Sequence, residues 1–535
     1  MKVFHDPFLE LHRSPFGAVS CGSTVSLGAV CGEDECFLLT GRDGGETVRQ
    51  PMRRREGLWR AELRVPDEPC LIWYRFECPG YTEREARQIT VYRESSLPEW
   101  YAGGIVYQIF PDRFFRGSDW RERRSAGAEK KTHTPRIFHE NWNDVPFYRK
   151  DADGRVTHWD FFGGTLLGIE EKLDYLKSLG VTAIYLNPIF SASSNHRYDT
   201  ADYLHIDPAL GDGESFASLA SAAEKKGIRL ILDGVFSHTG ADSIYFDKFG
   251  IYGGGACSGE ESKYYRWYDF RRFPGEYACW WGEEELPELN ENEPGCREFL
   301  LGAVRKWLKA GASGWRLDVA DELPDGFIEA VRRAAGETRG DALILGEVWE
   351  DASNKISYGE RRRYLLGGAL HAVMNYPFRS AALDFAVGKA GAGEFALKMM
   401  RLRQNYPPGA FYGALNVIST HDTERALTLL GGDVGKLKML SFLQFTAAGV
   451  PCIYYGDEAG AEGGTDPENR APFPWGRENG EITEHYRYLA GLREKYPQLR
   501  NGEFFAEADG EDIYRFRRGD LRFFADRKSG EFGLE

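Results

Sequence analysis

Residues 297–319, REFLLGAVRKWLKAGASGWRLDV, hold two periodicities side by side. Through Lys309 the apolar side chains Phe299, Leu300, Val304, Trp307 and Leu308 recur at three- and four-residue intervals, the stripe of an amphipathic helix. After Gly311 the run GWRLDV has the composition of a short strand, and Arg316 and Asp318, two apart, point the same way if it is extended. Aiming a charge pair into one space is costly unless the pair has a role or closes a sheet as a plain ion pair. The stretch alone leaves both readings open.

The helix-then-strand order repeats along the chain. IEEKLDYLKSLG precedes VTAIYLNPIF (169–190), SFASLASAAEKKG precedes IRLILDGVFSH (215–238), and GFIEAVRRAAG (326–336) precedes ALILGEVW (342–349). With GGIVYQIF at 103 and the later runs LHAVMN, LNVIST and PCIYYG, about eight strand candidates alternate with helices. This pattern predicts an α/β fold, a (β/α)8 TIM barrel, with an open doubly wound sheet as the weaker alternative. Before it, STVSLGAV, ECFLLTG, LWRAELRV and CLIWYRFEC are short β-like runs separated by Gly, Asp and Pro, as in a β-sandwich. The expected organisation is a sandwich over 1–97, a barrel over 98–496 with an inserted subdomain at 239–293, and a short or truncated C-terminal β domain over 497–535.

Composition removes several function classes. No run approaches the roughly 18–20 apolar residues that span a bilayer, so no membrane partner is expected. The opening MKVFHDPFLELHRSPFGAVS lacks the unbroken apolar core of a secretory signal, which predicts a cytoplasmic protein, or a secreted one whose signal has been removed. Nine cysteines without CxxC spacing argue against a zinc knot or a fully paired disulfide framework and read as packing residues. A net charge of −15 excludes nucleic acid as a partner, which would need a cationic footprint. The 27 Tyr and 13 Trp would suit the faces of sugar rings, or a core.

A barrel gathers its chemistry at the C-terminal ends of its strands. There the predicted strands carry Asp233 and His238, Arg316 and Asp318, Glu347, and His421 and Asp422. Singly, each acid could be a helix cap or a solvated loop residue. Together, close carboxylates repel, which raises the pKa of at least one and leaves a proton donor beside an ionised nucleophile, the equipment for glycoside hydrolysis.

At these residues the chain resembles the α-amylase superfamily, glycoside hydrolase family 13. GWRLDV is similar to its strand-4 motif, GEVW to its strand-5 motif and HDTER (421–425) to its strand-7 motif. VYQIFPDRF, NPIFSASSNHRYDTADY, LPELN and GVPCIYYGDE resemble the neopullulanase, cyclomaltodextrinase and maltogenic amylase branch. The resemblance implies Asp318 as nucleophile, Glu347 as acid/base and Asp422 as the third carboxylate, with Arg316 holding Asp318 ionised by lowering its pKa. It further implies Tyr198 as a platform under the sugar, His238 and His421 as its hydrogen-bond partners, Trp349 facing the leaving side, and Asp466 with Arg470 gripping sugars further along. The implied activity is retaining hydrolysis of α-1,4-glucosidic bonds in maltodextrins, cyclomaltodextrins, pullulan or starch. An α-glucan transglycosylase with the same residues stands second, and a non-catalytic glucan-binding relative third. The branch also implies a homodimer. Two positions that bind calcium in many relatives read Ser237 and Thr165, so no metal or other cofactor is expected.

Overall fold

The computed structural model describes residues 3–535. The helical stripe around Val304 forms α2 (Pro294–Lys309), and the strand after it is β4 (Gly314–Leu317). β4 belongs to an eight-stranded parallel sheet with β1 (Val106–Ile109), β2 (Ala183–Leu186), β3 (Arg229–Gly234), β5 (Leu343–Gly346), β6 (Ala372–Val373), β7 (Leu415–Asn416) and β8 (Val450–Tyr454). The strands lie in the order β6-β5-β4-β3-β2-β1-β8-β7, and a parallel bridge from Met374 to Leu415 closes the ring. The predicted barrel is what forms.

Local chemistry marks the element ends. α1 (Gly213–Lys225), between β2 and β3, begins at a capping box in which Asp212 accepts from the Ser215 N–H. α3 (Asp325–Thr338), between β4 and β5, buries Phe327, Ile328, Val331 and Ala335 at helical spacing. Along β4 the side chains alternate: Trp315 points out among Phe236 and Phe190, with ring centroids 5.4 and 6.2 Å away, while Arg316 points into the barrel. In register, Asp233 of β3 sits beside Arg316, and Leu345 of β5 lies on its other side.

Around the barrel stand two antiparallel units. Residues 3–92 form two facing sheets whose inner side chains include Val25, Leu27, Leu38, Tyr74, Phe76, Ile89 and Val91. At the other end, Phe504–Asp509, Ile513–Arg518, Leu521–Asp526 and Phe532–Leu534 make a four-stranded meander. Its Tyr514 ring stacks on Phe395 of the helix Ala392–Asn405 at 4.2 Å. Two long excursions leave the barrel. The one after β3 carries clustered aromatic rings, among them Tyr245, Trp267 and Tyr277. The other, after β1, holds the helix Trp120–Glu129 and a small sheet of Arg136–Phe138, Arg149–Lys150 and Val156–Phe161, which the periodicity did not announce.

The outward face of β4 is a packing site with no polar duty, since Trp315 is fully buried. Trp315→Ala is expected to cost about 3–5 kcal/mol of stability, read as a large fall in melting temperature.

Candidate active site

The C-terminal ends of β3, β4 and β5 bring their charged side chains onto one guanidinium. Arg316 Nη1 donates to Asp233 Oδ1 at 2.8 Å and to Asp318 Oδ1 at 2.6 Å, and Nη2 donates to Glu347 Oε2 at 2.6 Å. Asp318 ends its strand against Val319, whose φ of +33° lies in the left-handed region that β-branched residues avoid. That conformation turns the Val319 N–H onto Glu347 Oε2 at 2.9 Å. The remaining oxygen of Glu347 accepts from Trp349 Nε1 at 2.9 Å, and the Trp349 ring stacks on Tyr376 at 3.9 Å.

Beside this cluster, Tyr198 hydroxyl donates to Asp233 Oδ2 at 2.8 Å, as does Tyr185 hydroxyl at 2.6 Å. Gln108 Nε2 donates to His421 Nδ1 at 2.9 Å, which leaves the imidazole proton on Nε2, facing the Tyr198 oxygen at 2.5 Å and Asp422 Oδ1 at 3.2 Å. Arg470 forms an ion pair with Asp466 Oδ1 at 3.1 Å and donates, through Nε, to the His421 carbonyl at 2.9 Å.

A cavity of about 720 Å³ opens over these groups. Eight of the ten residues expected from sequence line it: Asp318, Glu347, Asp422, Tyr198, His238, Trp349, Asp466 and Arg470. Arg316 and His421 do not; both are buried behind the wall and act on it through Asp318, Glu347, Tyr198 and Asp422. Also on the wall, and not expected, are Trp281, Glu322 and Tyr358. The Glu322 carboxylate accepts from Trp281 Nε1 at 2.9 Å and from Tyr358 hydroxyl at 2.7 Å, joining the excursion after β3 to the loop after β5. That loop is held by the N-terminal unit, because Arg361 donates to Asp43 Oδ2 at 2.6 Å and Asn354 to Gln88 at 2.7 Å. Gln108 carried a usable signal, a lone amide inside an apolar strand; the Glu322 contacts had none, since they join separate segments.

The electrostatics differ from expectation at one point. Burial pushes the Asp318 carboxyl well up, reinforced by Glu347 and Asp233, and the Arg316 guanidinium opposes this without overcoming it. Asp233 moves up for the same first reason. Burial, with Glu347 next, pushes Asp422 up to about 7. Burial lowers His238 to about 4 and His421 well below its ordinary value, so both imidazoles are neutral at pH 7.

The two positions linked to calcium do not fit the ion. Thr165 Oγ1 donates to Asp119 Oδ1 at 2.8 Å and accepts from the Gly168 N–H at 3.0 Å as a helix cap. Asp119 Oδ2 pairs with the Arg123 guanidinium at 3.2 Å, and Arg123 also reaches Asp212 at 3.0 Å, so a side-chain cation stands where a metal would have to enter. Ser237 Oγ is 2.9 Å from His238 Nδ1. Calcium needs six to eight oxygen ligands, which these residues do not supply.

Three measurements test this electrostatic picture. Dialysis against a chelator is expected to leave the melting temperature unchanged, whereas Arg123→Gln should lower stability by about 1–3 kcal/mol by leaving Asp119 Oδ2 without its cation. Asp422 has a folded pKa above its unfolded value near 3.9, so its protonation favours the fold. That contribution is complete below about pH 4 and is lost as pH rises through about 7. Asp422→Asn should therefore melt above the parent protein at pH 8, by a margin kept small because the side chain opens onto the solvent-filled cleft, with the gap closing at pH 4.

Comparison with known proteins follows the same lines. Residues 108–504 match the family model described as "Alpha amylase, catalytic domain". An amylopullulanase of Thermoanaerobacter thermohydrosulfuricus is 36% identical over 96% of this chain and 40% of its own length. A cyclomaltodextrinase of Geobacillus thermopakistaniensis (strain MAS1) is 39% identical over 77% of this chain and 66% of its own. The chain thus spans well under half of the amylopullulanase it matches. Among solved structures, the type III pullulan hydrolase from Thermococcus kodakarensis superposes with a TM-score of 0.72 at 29% identity, covering 98% of this chain and 94% of that one. With a family model running from the first barrel strand into the C-terminal sheet, the chain belongs to the alpha-amylase family.

Proposed function

We propose that the protein is a retaining glycoside hydrolase that cleaves α-1,4-glucosidic bonds of maltodextrins, cyclomaltodextrins, pullulan or starch. The observation that carries this reading is the pair Asp318 and Glu347 on the two nitrogens of one guanidinium. Carboxyl groups of retaining enzymes stand about 5–5.5 Å apart, against about 6.5–9.5 Å where a water must fit between them. Two acids sharing a guanidinium favour the closer spacing.

In this mechanism the ionised form of Asp318, its charge paired with the Arg316 guanidinium, attacks the anomeric carbon from inside the barrel while Glu347 gives its proton to the departing oxygen. Water, activated by the ionised Glu347, then releases the sugar from Asp318 with its original configuration. Substrate binding disturbs little of the charge balance, because neutral His238 on the wall and neutral His421 behind Tyr198 add no positive charge beside the oxocarbenium-like transition state. Tyr198 presents its ring to the sugar, Asp422 accepts from its hydroxyls, and the Asp466–Arg470 pair holds the chain beyond. Exposed Trp349 and Trp281, 44% and 69% accessible, offer stacking faces along the cleft.

The relatives named cyclomaltodextrinase and amylopullulanase support the substrate class. A homodimer and a cytoplasmic setting belong to the same reading; nine free thiols suit a reducing compartment, and no helix among the described residues is long and apolar enough to cross a membrane.

Turnover and stereochemistry provide the check. Asp318→Asn should remove nearly all turnover, by about 10³-fold or more, while the protein stays folded. Glu347→Gln should retain most activity only on fluoride or activated aryl glycosides, whose leaving groups need no proton. NMR of the first product should show the α-anomer; a β-anomer would overturn the assignment of both carboxylates.

A further inference from the structure

A second cavity, about 540 Å³, shares no residue with the first. It opens where Glu68 of the N-terminal unit and Arg93, just after its last strand, meet Glu329, Arg332 and Arg333 of α3, with Arg363 from the segment after β5. Four guanidiniums face two carboxylates there, in a chain of net charge −15. Arg363 is paired, with Glu329 at 3.1 Å and Asp325 at 3.5 Å. Among the described residues Arg93, Arg332 and Arg333 have no carboxylate partner.

Arg332 is half-buried, and its contacts are neutral: Nη2 donates to Ser95 Oγ at 2.7 Å and Nη1 to the Ala369 carbonyl at 3.3 Å. Burial without an anion pushes its guanidinium down to about 10. A desolvated charge is ordinarily paired, so the missing element is an anion. The Arg332 side chain and the backbone that carries Arg93 are also held in place before any ligand arrives. Arg93 N–H donates to the Leu366 carbonyl at 3.1 Å, and Gly367, at φ +102°, lies so close that a Cβ there would come within 2.1 Å of the Arg93 carbonyl. Ser95, two residues on, orients Arg332 from the same strand end.

We propose that this junction cavity binds a tetrahedral oxyanion of the phosphate class. Guanidinium forks match the oxygen spacing of a phosphoryl group and bind it with paired charge-assisted hydrogen bonds. Arg332 would supply the half-buried anchor, and Arg93 and Arg333 would close over the exposed oxygens. Free inorganic phosphate and the phosphoryl group of a phosphorylated sugar carry the same chemistry.

Calorimetric titration of the full chain with inorganic phosphate, and separately with glucose 6-phosphate, tests this against glucose and against potassium chloride at matched ionic strength. Saturable binding of either phosphoryl probe, with a raised melting temperature, is expected. Tighter binding of the sugar phosphate identifies a phosphorylated sugar as occupant, and equal or tighter binding of phosphate identifies the free ion. The double variant Arg93→Gln/Arg333→Gln removes two exposed side chains and should keep the parent's melting temperature without phosphate, yet bind about tenfold or more weakly. Arg332→Lys, which keeps the charge and loses the fork, should also weaken binding. The proposal fails if neither probe binds, if chloride reproduces the effect, or if the double variant binds as the parent does.

Discussion

Arg316 places one guanidinium among Asp233, Asp318 and Glu347 in full burial, and the mouth of the barrel is organised around that contact. Three carboxylates converging in low dielectric would otherwise repel and draw in water or protons. Losing one partner from such a buried set costs about 3–5 kcal/mol, because the charges left behind are uncompensated. A lysine could not replace it, since an ammonium lacks the planar fork that reaches acids from β3, β4 and β5 at once. The requirement runs back to the register of the sheet: Arg316 reaches all three only because β4 lies between β3 and β5, with Asp233 beside it. It also runs outward, because Glu347, fixed by this contact and by the strained Val319 amide, in turn fixes Trp349.

The architecture was legible because periodicity is a local property. Helical stripes such as Phe299 to Leu308 and apolar strands such as 343–346 announce themselves within a dozen residues, and their alternation implies a parallel sheet. Arg316 and Asp318 were legible for the same reason, being two apart on one strand. What stayed hidden depended on distance along the chain. The small sheet after β1 is built from two- to six-residue strands within charged and aromatic sequence, too short for any period to emerge. Glu322 meets Trp281 and Tyr358 only after the chain has folded, and nothing near DVADE signals that meeting. The direction of the Asp318 shift was not legible, because the motif shows its nearest cation but not its burial, which is the larger effect here.

Charge in this molecule is managed largely by side chains standing against side chains. Arg123 neutralises Asp119, and Arg113 lies between Asp112 and Asp160 at 2.8 Å from each. Lys130 and Arg136 both reach Asp207, whose carboxyl they hold far below the ordinary range despite its burial. The loops after β1 and β2 therefore keep their shape through covalently attached cations, which cannot dissociate. The histidines near the cleft are kept neutral, so the positive charge there resides in Arg316, Lys355 and Arg470, and its position does not shift as pH moves across the physiological range.

The hydrogen bonds that Asp43 and Gln88 accept from the loop after β5 give the N-terminal sheets a share in the cleft rim, although they contribute no wall residue of their own. A module joined only by a flexible linker can be lost, duplicated or exchanged during evolution with little effect on its neighbour. Here the joint itself shapes the rim, so the sandwich and the barrel are heritable as a pair: a recombination event that swapped one would inherit a mismatched edge at Arg361 and Asn354. Change in this lineage would then proceed by paired substitutions across the seam in preference to the exchange of whole modules.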